Sequence, residues 1–346
     1  MMNFLFEYGL FLAKAVTIAI VILVVIPSIM MSFRKSKPQE RNKIEVRNLN
    51  KHYRKLKKSL YYETLPRAIY KKTLKTEKKI KKSEQKKEKQ KVKNDEEQKR
   101  KKLFVLDFKG DIQASGVSAL RHEITSVLMN ASDNDGVVLR LESAGGTVNT
   151  YGLAASQLMR LKDEGVSLTI IVDKVAASGG YLMASVADKI IAAPFAVVGS
   201  IGVASQFPNF HKLLKKFDVD YEQITAGEYK RTLTMFGENT EKGREKFIEQ
   251  IEETHTLFKD FLVQQRPALD IDNIANGQFW YGTQALPLKL VDELKTSDDF
   301  LLAASADSDI FEVAYKERES LRDRLTAEFE HTLTRLMHFV LEKISK

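Results

Sequence analysis

Residues 15–33, AVTIAIVILVVIPSIMMSF, run nineteen positions without a charge. With GLFLA just before Lys14, this is long enough to cross a hydrocarbon core of about 30 Å. A secretory signal peptide carries its basic charge before the apolar run and a small-residue cleavage site after it. Here the charge follows, as Arg34, Lys35, Lys37 and Arg41, and IMMSF offers no such site. Residues 1–33 therefore read as an uncleaved N-terminal membrane anchor. A basic flank stays in the cytoplasm by the positive-inside rule, which favours a cytoplasmic main domain, with the periplasmic side as the alternative.

Beyond the run, Val46, Leu49, Tyr53, Leu56 and Leu60 recur at steps of 3, 4, 3 and 4 with Lys and Arg between them. That spacing predicts a basic amphipathic helix over 42–62. Three fates are open to it. It can lie on an anionic membrane surface, pair with a copy of itself, or pack in part while the rest stays solvated. Residues 75–102 are mostly Lys, Glu and Gln without a core-forming period, and read as a disordered or single-helix spacer. Together, 34–102 form a basic juxtamembrane helix and low-complexity linker.

From Leu103 the period alternates. KLFVLDFKG reads as a strand, ALRHEITSVLMNA as a helix, GVVLRLES as a strand and NTYGLAASQLMRLKDEG as a helix. VSLTIIV, GYLMASVA and KIIAAP continue as strand, helix, strand. Such alternation predicts an α/β fold, with helices packed on a largely parallel sheet. IIAAPFAVVGSIGVA is apolar enough to suggest a second span. Pro194, Gly199 and Gly202 interrupt it, and its halves suit buried strands. A long helix is expected over Glu241–Gln265, with Phe247, Ile251, His255, Phe258 and Phe261 along one face. GQFWYGTQALPLKLVDEL follows after a short loop, then a strand over 310–315. A charged helix over 317–345 carries Leu321, Leu325, Phe329, Leu333, Leu336 and Val340 on one side. The boundaries we expect are 103–300 for the main domain and 301–346 for a C-terminal strand and helix.

Charge sharpens this division. Residues 34–102 hold 28 Lys and Arg against 9 Asp and Glu, a net of +19, and residues 1–33 are neutral. Since the whole chain carries +9, residues 103–346 carry −10. No nucleic-acid partner is expected for that domain. With no cysteine, disulfides, thiolate metal sites and cysteine nucleophiles are excluded. We expect no metal and no cofactor.

Three motifs fall where strands should end. In Ser143-Ala144-Gly145-Gly146-Thr147 a glycine pair lets backbone approach a ligand and aim N–H groups at an oxyanion; alone it is also an ordinary tight turn. In Ala177-Ser178-Gly179-Gly180-Tyr181 a serine opens a helix. It is either a nucleophile, with the Gly179 N–H aimed at a carbonyl oxygen, or a plain N-cap. In Gly227-Glu228-Tyr229-Lys230 a lysine follows an expected strand, and a solvated surface charge is the ordinary reading. A serine nucleophile needs a base, however. His52, His122, His211, His255, His331 and His338 all lie outside glycine-rich loops, so a Ser–His–Asp triad is hard to assemble. Lysine remains, and serves only where water is excluded enough to leave the amine neutral.

In order, these motifs, with Gly199-Ser200-Ile201-Gly202, Gly282-Thr283-Gln284-Ala285 and Leu290-Val291-Asp292, resemble the signal peptide peptidase A family of serine proteases over residues 103–297. The anchor and long basic linker point to one branch of it. The chain departs from the family pattern at Ala144, usually proline, and at Gln278, commonly arginine. The resemblance implies a Clp-protease/crotonase-like spiral of ββα units and a Ser–Lys dyad. In it Ser178 is the nucleophile, Lys230 the general base and Ser200 the residue that orients the lysine, with Gly145, Gly146 and Gly179 at the oxyanion and substrate loop. It also implies a homo-oligomer in which one subunit's lysine reaches its neighbour's serine. The expected protein is an inner-membrane endopeptidase acting on signal peptides or misfolded envelope or membrane proteins, with membrane lipid as its other partner. Two alternatives stand beside it: a catalytically inactive assembly scaffold, and a crotonase-type acyl-CoA enzyme.

Overall fold

The computed structural model describes residues 8–12, 14, 43–64, 66, 69, 76, 100–132 and 134–316. The chain divides into two compact units, residues 1–43 with 318–346, and residues 44–317; the second holds the sheet and both of its cores. The apolar run 15–33, most of the 75–102 spacer and the expected helix over 317–345 lie outside the described residues. Among the described residues no helix is long and apolar enough to cross a membrane.

From Lys43 the described elements are β1 (Lys43–Asn48) and α1 (Leu49–Thr64), then β2 (Lys102–Gly110), α2 (Val117–Leu128), β3 (Gly136–Ser143) and α3 (Val148–Asp163). β4 (Ser167–Val172), β5 (Val175–Ala177), α4 (Gly179–Ser185), β6 (Lys189–Ala192) and β7 (Val197–Gly199) follow. After α5 (His211–Lys216) come α6 (Glu241–Gln265), α7 (Ile271–Ile274), β8 (Phe279–Tyr281) and α8 (Gly282–Ala285). The unit closes with β9 (Glu293–Leu294), α9 (Ser297–Ala304) and β10 (Asp309–Lys316).

One sheet, in the order β1-β10-β2-β3-β4-β6-β9, organises the unit, and the pairs from β10 to β9 are parallel. Its strands are apolar on both sides because both faces are covered. Leu106, Leu139, Ile170 and Ile190 lie in one register row and join the larger core with Leu120, Ile124, Leu158 and Leu161 from α2 and α3. Val105, Val138, Ile171 and Ile191 face the other way, into a smaller core with Leu49 of α1 and Leu301 of α9.

Past Ile171 the sheet forks. β5 meets β3 at one pair, Ser143 with Ala176, then pairs in parallel with β7, which runs antiparallel to β8. The glycine loop and Ser178 both leave the sheet at this fork.

The helix expected over 42–62 is a strand followed by a helix. Lys43-Ile44-Glu45-Val46-Arg47-Asn48 alternates with period two, which the helical count across Val46 and Leu49 obscured. Nor is this stretch wholly linker. Buried Asn50 donates from Nδ2 to the carbonyls of Ser305 and Ser308 at 3.1 and 2.9 Å, and its Oδ1 accepts the Ile310 N–H at 2.7 Å. A side chain that satisfies three main-chain groups fixes the start of α1 to the sheet.

One buried acid makes stability depend on pH. Glu123, on the inner face of α2, is 5% exposed. Its Oε1 accepts the Tyr315 N–H at 2.7 Å, while Oε2 has no partner. Burial, with Asp107 adding to it, pushes its carboxyl from an ordinary 4.5 to about 7. The folded protein thus holds a proton that the unfolded chain releases between these values. The contribution of Glu123 to stability falls as pH rises from about 4.5 to about 7, by on the order of 3 kcal/mol, and is flat on either side. Glu123→Gln is expected to remove that slope, changing little at pH 5 and stabilising by about 1–3 kcal/mol at pH 8. Urea unfolding at the two pH values tests this.

Candidate active site

Ser178 is the single residue between β5 and α4. Its backbone sits at φ +52°, ψ −120°, a region that L-residues occupy at a cost on the order of 1–3 kcal/mol. Its N–H donates to the Gly199 carbonyl at 2.8 Å and its carbonyl accepts the Leu182 N–H at 3.0 Å. The side chain makes no capping hydrogen bond to α4. The plain N-cap reading of Ser178 therefore does not hold.

Ser200 occupies the matching position on the next strand. Ala177 and Gly199 are register partners in the parallel β5–β7 pair, and each strand ends there, so the following residues, Ser178 and Ser200, leave the sheet together. Ser200 also has positive φ, +51°. Its N–H donates to the main-chain carbonyl of Gln278 at 2.6 Å, a contact that does not depend on whether residue 278 is glutamine or arginine.

Residues 144–147 pack against this turn. At Gly145, φ is +91°, and a Cβ there would lie 2.8 Å from the Ser178 Cβ and 2.9 Å from the Gly179 nitrogen. Gly179 is equally constrained, since a Cβ would lie 2.5 Å from the Tyr151 ring. Glycine is required at both for steric reasons. Gly179 is the first residue of α4, so its N–H has no acceptor within the helix, and the Gly146 N–H has none among the described residues.

Three residues to which the motifs alone assign no role hold the loop. The Tyr151 hydroxyl donates to the Asp111 carbonyl at 2.8 Å. Its proton is thereby committed, so the Ser143 hydroxyl, 2.5 Å away, donates to Tyr151 and accepts the Gly145 N–H at 3.0 Å. Tyr151 is fully buried, and burial raises its phenol above the ordinary value. Its place on the inner face of the helix after the glycine loop was the available signal.

Ser178, Ser200, Gly146 and Gly179 open onto one cavity of about 610 Å³. Val148, Ala155 and Leu182 form part of its wall, and α6 contributes Leu257, Phe258 and Phe261. Among the described residues no Asp, Glu, Lys, Arg or His lines it. Of the histidines, His52 contacts Arg47, His122 stacks on Tyr315, His211 opens α5 and His255 lies on α6 without reaching the cavity. His331 and His338 lie outside the described residues.

Lys230 is not brought to Ser178 within this chain. It is exposed, in the stretch 217–240 that forms neither helix nor strand, so the strand expected before it is absent. Phe236 stacks on Phe210 and contacts Tyr221, so the stretch carries a cluster of aromatic rings, each of them exposed. Around Lys230, Glu228 pairs with Lys242 at 2.6 Å and Lys246 lies over the Tyr229 ring at 5.5 Å.

The chain is similar to known proteins along nearly its whole length. Residues 3–158 match the model of the peptidase family S49 N-terminal region, and residues 160–310 match that of peptidase family S49. A probable protease SohB of Haemophilus influenzae is 47% identical over 98% of this chain and 97% of its own. A probable protease SohB of Buchnera aphidicola from Acyrthosiphon pisum is 46% identical over 96% of both. A putative protease of Methanocaldococcus jannaschii is 32% identical over 54% of this chain and 62% of its own. With two family models that together match residues 3–158 and 160–310, and a strained serine at the fork of its sheet, the chain belongs to peptidase family S49.

Proposed function

We propose that this peptidase is a membrane-anchored serine endopeptidase in which Ser178 is the nucleophile and Lys230 of a neighbouring subunit is the general base. One observation carries the reading: Ser178 stands uncapped, at positive φ, in a cavity lined, among the described residues, by no Asp, Glu, Lys, Arg or His. An exposed lysine on a projecting stretch is what a shared site requires, because contact with a second copy would remove the water that keeps an ordinary lysine protonated.

In the reaction, the neutral Lys230 amine takes the Ser178 hydroxyl proton as Oγ attacks the scissile carbonyl carbon. The developing oxyanion is received by the N–H groups of Gly179 and Gly146, with Gly145 keeping the loop against the serine. As the C–N bond breaks, the lysine ammonium returns the proton to the leaving amine, giving an acyl-enzyme. Water, deprotonated by the same lysine, then frees Ser178. The Ser200 hydroxyl accepts a hydrogen bond from the amine and orients it without adding negative charge. An uncharged, partly aromatic cavity suits apolar peptide side chains, as found in signal peptides and in misfolded envelope or membrane proteins. The forked sheet agrees with a Clp/crotonase-like spiral, and residues 1–33 would hold the enzyme in the inner membrane.

A fluorophosphonate that reacts covalently with activated serines tests this directly. We expect labelling of wild type and none of Ser178→Ala. Equal labelling of both would move the nucleophile elsewhere, and labelling of neither would favour the scaffold or acyl-CoA alternatives.

Gly145→Ala supplies a finer test of the loop. The new methyl is forced onto Ser178 at a φ that disfavours it, so kcat/KM for a peptide substrate is expected to fall about 100- to 1,000-fold. The thermal midpoint should drop by only a few degrees. A near-wild-type rate would remove Gly145 from the site.

A further inference from the structure

One glycine of this unit stands inside a helix without a packing reason. Glycine weakens a helix interior relative to alanine, so its presence there asks what forbids a side chain. At the other helical glycines of the unit the answer is the fold itself. A Cβ at Gly179, Gly180, Gly243 or Gly282 would lie within 2.6 Å of a ring or a main-chain oxygen. Gly152 differs. It lies in the interior of α3, and a Cβ built on it meets no atom within 4 Å among the described residues. The space beside it belongs to the cavity of Ser178, which Gly152 lines.

The walls of that cavity are unequal. α6 presents Leu257, Phe258 and Phe261, whereas α3 beyond Tyr151 presents Gly152, Ala155 and Ser156. Gly152 and Ser156 are neighbours one turn apart on the helix surface, and the Ser156 hydroxyl donates to the Gly152 carbonyl at 2.9 Å, which spends its proton on the main chain. A full turn of α3 thus carries little side-chain volume, in the same cavity as the serine.

Resting on the reading of Ser178 as the nucleophile, we propose that Gly152 sets the size of the side chain accepted at the substrate residue whose carbonyl is attacked, and that it admits a large apolar one, Leu or Phe. That carbonyl must reach the Ser178 hydroxyl and the Gly179 N–H, and both residues line this cavity. The side chain on the adjoining Cα therefore enters the same space. It fills the volume that α3 leaves open and meets the rings of Phe258 and Phe261. A charged side chain is rejected, because burying it among residues that offer no opposite charge is costly. A second copy of the chain fits the space less well, since a concave site of about 610 Å³ has the dimensions of a site for a small group.

The test uses full-length protein and peptides that differ only at that residue, which is Phe, Leu or Ala, with Ser178→Ala as the control for the nucleophile. One methylene more or less in an apolar pocket changes kcat/KM by about 10- to 200-fold. Gly152→Leu fills the space, so the ratio of kcat/KM for the Phe peptide to that for the Ala peptide should fall about 100-fold. Gly152→Ala guards against a folding defect, because alanine favours the helix and its methyl enters open space. Its thermal midpoint should rise, while the same ratio falls about 10-fold. A raised midpoint with an unchanged ratio overturns the inference. So does an equal loss on all three peptides with Gly152→Leu, or a ratio that changes only when another substrate residue is varied. Loss of assembly in sedimentation, with the ratio intact, overturns it in favour of a subunit contact. In each of these cases hydrolysis that still requires Ser178 leaves the nucleophile standing, whereas Ser178→Ala as active as wild type overturns both.

Discussion

Ser178→Ala is expected to reduce peptide hydrolysis below about 1% of wild type, since removing a covalent nucleophile costs several orders of magnitude in kcat. Fold and assembly should be unaffected. The Ser178 side chain caps no helix, and the hydrogen bonds of this turn come from its backbone N–H and carbonyl, which alanine keeps. Alanine does inherit the positive φ, so a small loss of thermal stability accompanies the substitution. Circular dichroism and sedimentation of the variant separate these effects from the loss of rate. Activity above that level in a correctly assembled variant would remove Ser178 from the mechanism.

Lys230→Arg should be as inactive as Lys230→Ala, because a guanidinium keeps its proton and cannot serve as the base. Both should fold normally, the residue being exposed on a stretch that packs through Phe210, Tyr221 and Phe236. Mixing subunits of Ser178→Ala with subunits of Lys230→Ala gives the sharper result. If each site takes its serine from one chain and its lysine from the next, random mixing restores roughly a quarter of the sites. If the subunits demonstrably exchange and no activity returns, the dyad is not shared. Retained activity in Lys230→Arg would move the base elsewhere, with His211 and His122 the next residues to vary.

Much of the fold is legible in local pattern. GVVLRLES becomes β3 over the same residues, and Glu241–Gln265 becomes α6 over the same residues, because each is a long, unambiguous instance of one period. The interrupted run IIAAPFAVVGSIGVA becomes β6 and β7, separated where Pro194 stands. Short elements did not announce themselves. β5 and β8 have three residues each and β9 two, too few to express a period, and they exist because a neighbouring strand offers hydrogen bonds. β1 is hidden for the opposite reason: its apolar positions satisfy a helical count that continues into α1.

The sequence by itself determined the chemistry on offer: an uncharged run long enough to span a bilayer, a basic linker on an acidic domain, a serine among glycines, and no histidine in a suitable loop. Those properties are local, carried by residue type and near-neighbour spacing. Only the tertiary structure decided which residues meet. Ser178 and Ser200, twenty-two positions apart, emerge together because β5 and β7 pair in a register that ends both strands at once. Tyr151 reaches the glycine loop because α3 folds back over β3. Lys230 stands outside the cavity that holds the serine, and half of α1 stands outside the core. Such facts depend on packing between segments distant in sequence, and spacing along a chain carries no information about that.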